Sequence, residues 1–167
     1  YEKGLAERNL LLKQGYYDQK WMEGIEEILV EESIPLTRSR QRVRKHLQDV
    51  LDNEKGTFPR AELEIEGDFE EFLETYSESQ IPEVLRQVWA ESRDKDRLAG
   101  GRTAFGPHSS DLKVMYADKN QPASLCSTGE QKALLLSIIM ASAFLLSQRS
   151  EAIPLLLLDE VVAHLDK

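Results

Sequence analysis

Four consecutive leucines followed directly by two acidic residues constrain the fold of this sequence more than any other feature. The run from Leu155 to Leu158 is typical of a strand that is buried on both faces, in a parallel sheet covered by helices. Asp159 and Glu160 come directly after it, and two carboxylates are costly to bury without a cation, a proton or a reacting water. The pattern therefore predicts a central strand with an acidic pair at its carboxyl end.

The position of this acidic pair allows two interpretations. In open parallel sheets, ligands bind beyond the carboxyl ends of the strands. The functional interpretation is a Walker B element, in which Asp159 holds Mg²⁺ and Glu160 polarises the attacking water. The alternative is a core strand that stops at an ordinary acidic turn. The pattern is too short to decide between them alone.

A second motif, Ser127-Thr128-Gly129-Glu130, precedes the leucine run by about thirty residues. It is a capping box, in which Ser127 caps the first turn of a helix and Glu130 reaches back to the Ser127 amide. The helix that follows is apolar nearly all round and is predicted to be buried in a domain core. A helix N-terminus with free amides, a hydroxyl and a glycine is also an anion site. The motif therefore indicates either a helix start alone or a phosphate contact.

The rest of the chain predicts a helical part followed by a mixed part. Residues 1–60 show helical apolar spacing, with Pro35 expected to kink or end a helix. Residues 61–66 alternate as in a half-exposed strand, helices are expected at 68–76 and 82–98, and further strands at 103–105 and 112–117. We therefore expect an α/β fold with a partial parallel sheet, a helical arm over residues 1–60 and a second domain over residues 61–167.

Composition excludes several classes of protein. The net charge of −9 argues against a strongly basic nucleic-acid module, and the single cysteine, Cys126, excludes an internal disulfide framework. No signal peptide is visible, and the apolar stretch 133–146 is too short to cross a bilayer, so a cytoplasmic location is expected. One predicted helix face carries Arg38, Arg42 and Lys45, which indicates either a solvated face or a contact with the DNA backbone.

The order of the motifs matches the latter half of an ATP-binding-cassette (ABC) ATPase: a signature motif, a Walker B strand and a D-loop at residues 163–166. Together with Gly-Pro-His at 106–108, the segments 125–135 and 157–161 resemble the RecF family, which is related to the SMC-type ATPases. The resemblance spans the whole chain and is strongest over residues 106–166. It implies the C-terminal portion of such a protein, a partial ABC-ATPase head of the P-loop NTPase type with a short helical arm lobe.

The resemblance also implies roles for individual residues. In this family ATP is held between two heads, so the signature Ser127, Thr128, Gly129 and Glu130 would bind ATP held by the partner head. Glu160 would be the catalytic residue that activates water, and Asp159 the partner of Mg²⁺. Asp166, in the D-loop, would lie at the dimer interface.

For the complete protein, the resemblance implies an ATP-dependent homodimer that loads at junctions of single-stranded and double-stranded DNA. Its setting would be DNA replication, recombination, repair and the SOS response, with RecR-type and RecO-type proteins as partners. No Gly-x-x-x-x-Gly-Lys-Ser/Thr occurs in the 167 residues, so this polypeptide alone is expected neither to hold ATP and Mg²⁺ nor to act as an ATPase. Ser109 also stands where the family usually has a basic residue. The alternatives are another SMC-like ATPase head and a non-catalytic helical interaction module.

Overall fold

The structure is a computed structural model that describes residues 1–54, 58–149 and 155–157. The elements in chain order are α1 (Glu2–Gln14), α2 (Gln19–Asn53), β1 (Ala61–Glu66), α3 (Asp68–Thr75), α4 (Ile81–Leu98), β2 (Asp111–Tyr116), β3 (Gln121–Pro122) and α5 (Thr128–Arg149). They form two compact units. The first contains residues 1–40 and 66–111, and the second contains the described residues of 41–65 and 112–167. The units divide the chain at other positions than residue 60, and the division into 1–60 and 61–167 stays a prediction.

The first unit is a helical cluster around one apolar core. Residues spaced three or four apart place one face of α2 and one face of α4 in this core, as amphipathic helices require. Three phenylalanine rings extend the core, with centroids 5.4 to 6.0 Å apart. The largest buried apolar side chains are Leu12, Met22, Leu29, Phe69, Leu85 and Trp89.

A fully buried arginine ties the helices of this unit together. Arg8 of α1 donates to Glu26 Oε1 at 3.0 Å and to Asp96 Oδ2 at 2.7 Å. It also donates to Thr103 Oγ1 at 2.5 Å and to the Trp89 carbonyl at 2.9 Å. A guanidinium can be buried here because carboxylates and further acceptors replace its hydration.

The predicted strand at 103–105 is wrong, and the same network explains why. The Thr103 amide donates to Asn9 Oδ1 at 2.8 Å, and the Thr103 hydroxyl donates to the same oxygen at 2.6 Å. The Phe105 carbonyl accepts the Trp89 indole N–H at 2.9 Å. The backbone groups that would form a strand ladder therefore bond to side chains of helices α1 and α4.

Helix α2 runs without interruption through Pro35, so this proline does not end the helix. A proline inside a helix removes one backbone hydrogen bond, and the remaining turns keep theirs. Buried hydroxyls add bonds on either side, because Ser33 Oγ donates to the Val30 carbonyl at 3.3 Å and Thr37 Oγ1 donates to the Ser33 carbonyl at 3.0 Å.

The described strands form one sheet in the order β1-β2-β3. In β1 the side chains of Ala61 and Leu63 are buried and those of Glu62 and Glu64 are exposed, which confirms the predicted alternation. Strands β2 and β3 pair antiparallel, with Met115 opposite Pro122 and Tyr116 opposite Gln121. The expectation of parallel pairing is wrong for these two, because a short turn joins them and a parallel pair needs a long crossover.

Two apolar segments are less buried than predicted. Helix α5 contributes Leu134 and Ala141 to the core of the second unit, but Leu135, Phe144 and Leu146 are exposed. By length and composition α5 is the one described helix that could cross a membrane, which is weak evidence, since helices in the cores of soluble proteins pass the same test.

The leucine run also differs from its prediction. Leu155, Leu156 and Leu157 are described and lie in no strand, and the exposed fractions of Leu155 and Leu157 are 85% and 88%. A strand is buried on both faces only between covering layers, and the single described sheet ends with β1 and β3. Leu158, Asp159 and Glu160 lie outside the described residues.

Candidate anion site at the start of helix α5

The residues that lead into α5 form a short hairpin and two tight turns. After β2, a 3₁₀ turn covers Ala117–Lys119, and Asn120 adopts the left-handed conformation, with φ 47° and ψ 47°. Asparagine tolerates this conformation better than most residues with a side chain. The chain then pairs back as β3 and makes a second 3₁₀ turn, Ala123–Leu125, before Cys126. The hairpin therefore brings its turn close to the first residues of α5.

Contacts of Cys126 hold the start of α5 in place. Its side chain is buried, and its sulfur lies 3.1 Å from Gln121 Nε2 and 3.6 Å from the Pro122 carbonyl. The Cys126 carbonyl accepts a hydrogen bond from Gln131 Nε2 at 3.1 Å. These contacts place Cys126 beneath the signature segment.

The four signature residues form the predicted capping box. The Ser127 amide donates to Glu130 Oε2 at 2.8 Å, and the Glu130 amide donates to Ser127 Oγ over a longer 3.4 Å. The Ser127 hydroxyl donates to the same carboxylate oxygen at 2.8 Å. Ser127 and Thr128 are exposed, and Gly129 and Glu130 are half-buried. The N-terminus of α5 is therefore capped by its own glutamate and open to solvent.

A lysine that the sequence did not single out completes this cluster. Lys119 pairs through Nζ with Glu130 Oε1, and its Nζ lies 5.5 Å from the centroid of the Tyr116 ring. The hydrogen bond from Lys119, followed by those from Ser127, lowers the pKa of Glu130 from 4.5 to about 2. The hydrogen bond with Glu130 in turn raises the pKa of Lys119. The N-terminus of α5 therefore carries an ion pair, formed by the Glu130 carboxylate and the Lys119 ammonium.

The other predicted site residues lie outside the described part of the chain. This holds for Asp159 and Glu160 of the proposed Walker B element and for Asp166 of the proposed D-loop. Within residues 1–54, 58–149 and 155–157, no cluster of three or more acidic, histidine or cysteine side chains could hold a metal ion. The structure therefore brings together the signature residues and leaves the predicted metal and catalytic residues as predictions.

The Gly-Pro-His loop lies in the first unit, and hydrogen bonds of His108 hold it in place. His108 Nε2 donates to the Thr103 carbonyl at 2.9 Å, so its Nδ1 accepts from the Tyr1 hydroxyl at 2.8 Å. Burial raises the pKa of Tyr1. Gly106 has φ 148°, and a Cβ atom there would lie 2.6 Å from the Tyr1 hydroxyl. The loop thus requires glycine at this position and uses both ring nitrogens of His108.

Ser109 does not supply the positive charge that is usual at its position. Its hydroxyl donates to the Gly106 carbonyl at 2.7 Å, within the loop. Arg40 of α2 contacts this loop, and its guanidinium donates to the Pro107 carbonyl at 2.5 Å. The loop therefore offers backbone contacts and no site with a free basic side chain of its own.

Curated relatives match the whole chain. It is 42% identical over 168 residues to the DNA replication and repair protein RecF of Mesorhizobium japonicum, and 39% identical over 166 residues to that of Rickettsia bellii. The alignments cover 99% of this chain but only 44% and 46% of the relatives. The chain thus spans less than half the length of the curated relatives it matches. No family model matches it.

Solved structures with the same fold agree with these relatives. A structure of the recombination mediator protein RecF with ATP, in the RecFOR pathway, superposes with a TM-score of 0.77 at 24% identity, covering 100% of this chain and 45% of that one. A RecF-ATPrS structure gives a TM-score of 0.74 at 22% identity over 92% of this chain and 42% of that one. The comparison shows that this chain has the fold of the RecF segment on which it superposes, and it confirms the predicted α/β fold class.

Proposed function

Since the chain matches the C-terminal portion of RecF proteins along its whole length, we propose that it is the signature-bearing part of an ATP-dependent recombination mediator. The observation that carries this proposal is the solvent-open N-terminus of α5, with Ser127 directly before the helix and Gly129 in its first turn. Such a terminus presents backbone N–H groups and the positive end of the helix dipole to an anion. Both features suit a phosphate supplied by another molecule.

The proposed chemistry is a nucleotide shared by two heads. In each head of a homodimer, Ser127 and the amide of Gly129 would contact the γ-phosphate of ATP that the partner head holds. Asp159 would be the Mg²⁺ partner, and Glu160 would orient the attacking water. The bound ion would neutralise charge that develops on the phosphates. Asp166 would lie at the interface of the two heads.

For the complete protein we infer a switch in which ATP closes the dimer and hydrolysis opens it. Closure would load the protein at junctions of single-stranded and double-stranded DNA, with RecR-type and RecO-type proteins as its partners. This setting is cytoplasmic. The support comes from the relatives, which are DNA replication and repair proteins, and from the RecFOR pathway to which the structural neighbour belongs.

Sedimentation velocity of the full-length protein that contains this chain tests the proposal. With ATP and Mg²⁺, we expect transient dimers in the wild type and stable dimers in Glu160→Gln, because the variant would bind ATP without hydrolysing it. Ser127→Arg should abolish both the transient and the stable dimers, because the arginine side chain would fill the anion site. Ser79→Arg, an equal change at an exposed serine outside the motif, should leave dimerisation unchanged.

The opposite results have equally definite meanings. If Ser127→Arg dimerises with ATP like the wild type, the signature does not contact the nucleotide. If neither the wild type nor Glu160→Gln responds to ATP, the ATP switch is wrong. The capping box is then only a helix start, and the chain is better explained as a non-catalytic helical interaction module.

A further inference from the structure

The signature serine directs both of its hydrogen-bond donors at one carboxylate. The amide and the hydroxyl of Ser127 each lie 2.8 Å from Glu130 Oε2. This arrangement caps the helix, but it places a negative charge where the proposed function places a phosphate. Like charges a few ångströms apart repel each other even near a protein surface. A phosphate can therefore bind here only if the charge of Glu130 is compensated.

Lys119 is placed to compensate that charge. Its Nζ binds Oε1 of Glu130, while Ser127 uses Oε2, so the two partners occupy different oxygens of one carboxylate. With Lys119 in place, the mouth of the helix has no net side-chain charge, and the positive end of the helix dipole remains. The hydrogen bonds from Lys119 and Ser127 lower the pKa of Glu130 to about 2, so the carboxylate is ionised throughout the physiological range.

The hairpin fixes where the lysine lies. Lys119 is the last residue of the first 3₁₀ turn, and Asn120 reverses the chain in a left-handed conformation directly after it. Residues 115 and 116 then pair with 122 and 121, which anchors the turn on both sides. The Tyr116 ring lies beneath the ammonium, with Nζ 5.5 Å from its centroid, a distance at which a cation is attracted to a ring face. Backbone geometry thus aims Lys119 at Glu130.

We propose that Lys119 is a positioning residue for the signature site, which holds the Glu130 carboxylate on the Ser127 amide and cancels its charge, so that the site accepts a nucleotide phosphate from a second copy of the protein. This inference rests on the proposed function. Lys119 acts through Glu130 and does not touch the phosphate.

The test uses the full-length protein and measures its dimerisation constant by sedimentation velocity with ATPγS and Mg²⁺. Lys119→Met should weaken nucleotide-driven dimerisation roughly tenfold, because it leaves one uncompensated negative charge at the site. Glu130→Gln in the Lys119→Met background should restore it, since the neutral amide still accepts the Ser127 N–H. Lys20→Met removes an exposed lysine of the first unit and should have no effect. Circular dichroism confirms that each variant is folded.

Salt dependence gives a second readout that a merely structural role would not produce. The Debye length falls from about 10 Å at 0.1 M salt to about 3 Å at 1 M. The defect of Lys119→Met should therefore shrink as salt is raised.

Each other result overturns a defined claim. If the wild type dimerises and Lys119→Met is equally tight, the inference fails and the proposed function stands. If Lys119→Met is weak and Glu130→Gln does not rescue it, the charge-cancelling role is wrong. If the wild type itself does not respond to nucleotide, the proposed function fails and this inference with it.

Discussion

Replacing Arg8 with methionine tests how much stability the buried network of the first unit provides. The side chain of Arg8 has 0% exposure, and those of Glu26 and Asp96 have 5% and 2%. In the variant, Glu26 keeps its ion pair with Arg93, whose Nη2 lies 2.5 Å from Oε2. Asp96 keeps only two hydrogen bonds from neutral groups. The substitution therefore leaves one buried carboxylate without a cation.

This single uncompensated charge determines the size of the effect. Removing one partner of a buried ion pair costs about 3–5 kcal/mol, because the other charge stays buried. Methionine fills much of the volume of the arginine stem, so the cavity contributes little. Asp96→Asn in the Arg8→Met background should recover about 2 kcal/mol or more, since an amide is cheaper to bury than a carboxylate. A loss of this size is a large part of the stability of an ordinary domain.

Urea unfolding, followed through the fluorescence of buried Trp89, measures the loss. Arg97→Met is the matched control, because the side chain of Arg97 is 46% exposed and pairs with Asp94 at 3.3 Å. Exposed pairs of this kind contribute less than about 1 kcal/mol. If Arg8→Met unfolds at the same urea concentration as Arg97→Met, the buried network does not stabilise the unit as argued.

Two further predictions concern a glycine and the Glu130 carboxyl; urea unfolding tests the first and nuclear magnetic resonance tests the second. Gly101→Ala should lower the free energy of unfolding by about 2 kcal/mol or more, because Gly101 has φ 85° and a Cβ there would lie 2.6 Å from the Asn9 carbonyl. Gly24→Ala, in the open interior of α2, should instead raise it by roughly 0.5–1 kcal/mol. The carboxyl resonance of Glu130 should titrate near pH 2 instead of 4.5, and Lys119→Met should move that midpoint upward. Because the folded pKa is the lower one, the contribution of this carboxylate to stability is present above about pH 4.5 and is lost as the pH falls towards 2. A midpoint near 4.5 in the wild type would contradict the geometry of the pair.

Contacts within one turn were predictable from the sequence. The bonds between Ser127 and Glu130 span three residues, and the capping pattern specifies them without knowledge of the rest of the fold. The same holds for α4, which begins next to Pro82 as expected for a proline in a first helical turn. Strand β1 also follows its alternation. In each case the physical cause lies within a few neighbouring residues.

Contacts across the chain were not predictable in this way. Arg8 meets Asp96 and Thr103 over separations of 88 and 95 residues, and no local pattern marks a buried arginine. Lys119 lies 11 residues from Glu130 across a hairpin, and one lysine in a turn gives no periodic signal. These residues were missed because the fold, and not the local sequence, brings their partners to them.

The burial of the apolar segments was overpredicted for a single reason. Hydrophobic composition indicates the surroundings in which a segment is stable, and it does not say where in a protein those surroundings are. Phe144 and Leu157 are exposed among the described residues of a chain that spans less than half the length of its curated relatives. Exposed apolar area of this kind is unfavourable in water, so covering it provides a driving force for association. The signature residues at the start of α5 need no such cover, because they are polar and Glu130 is paired with Ser127 and Lys119.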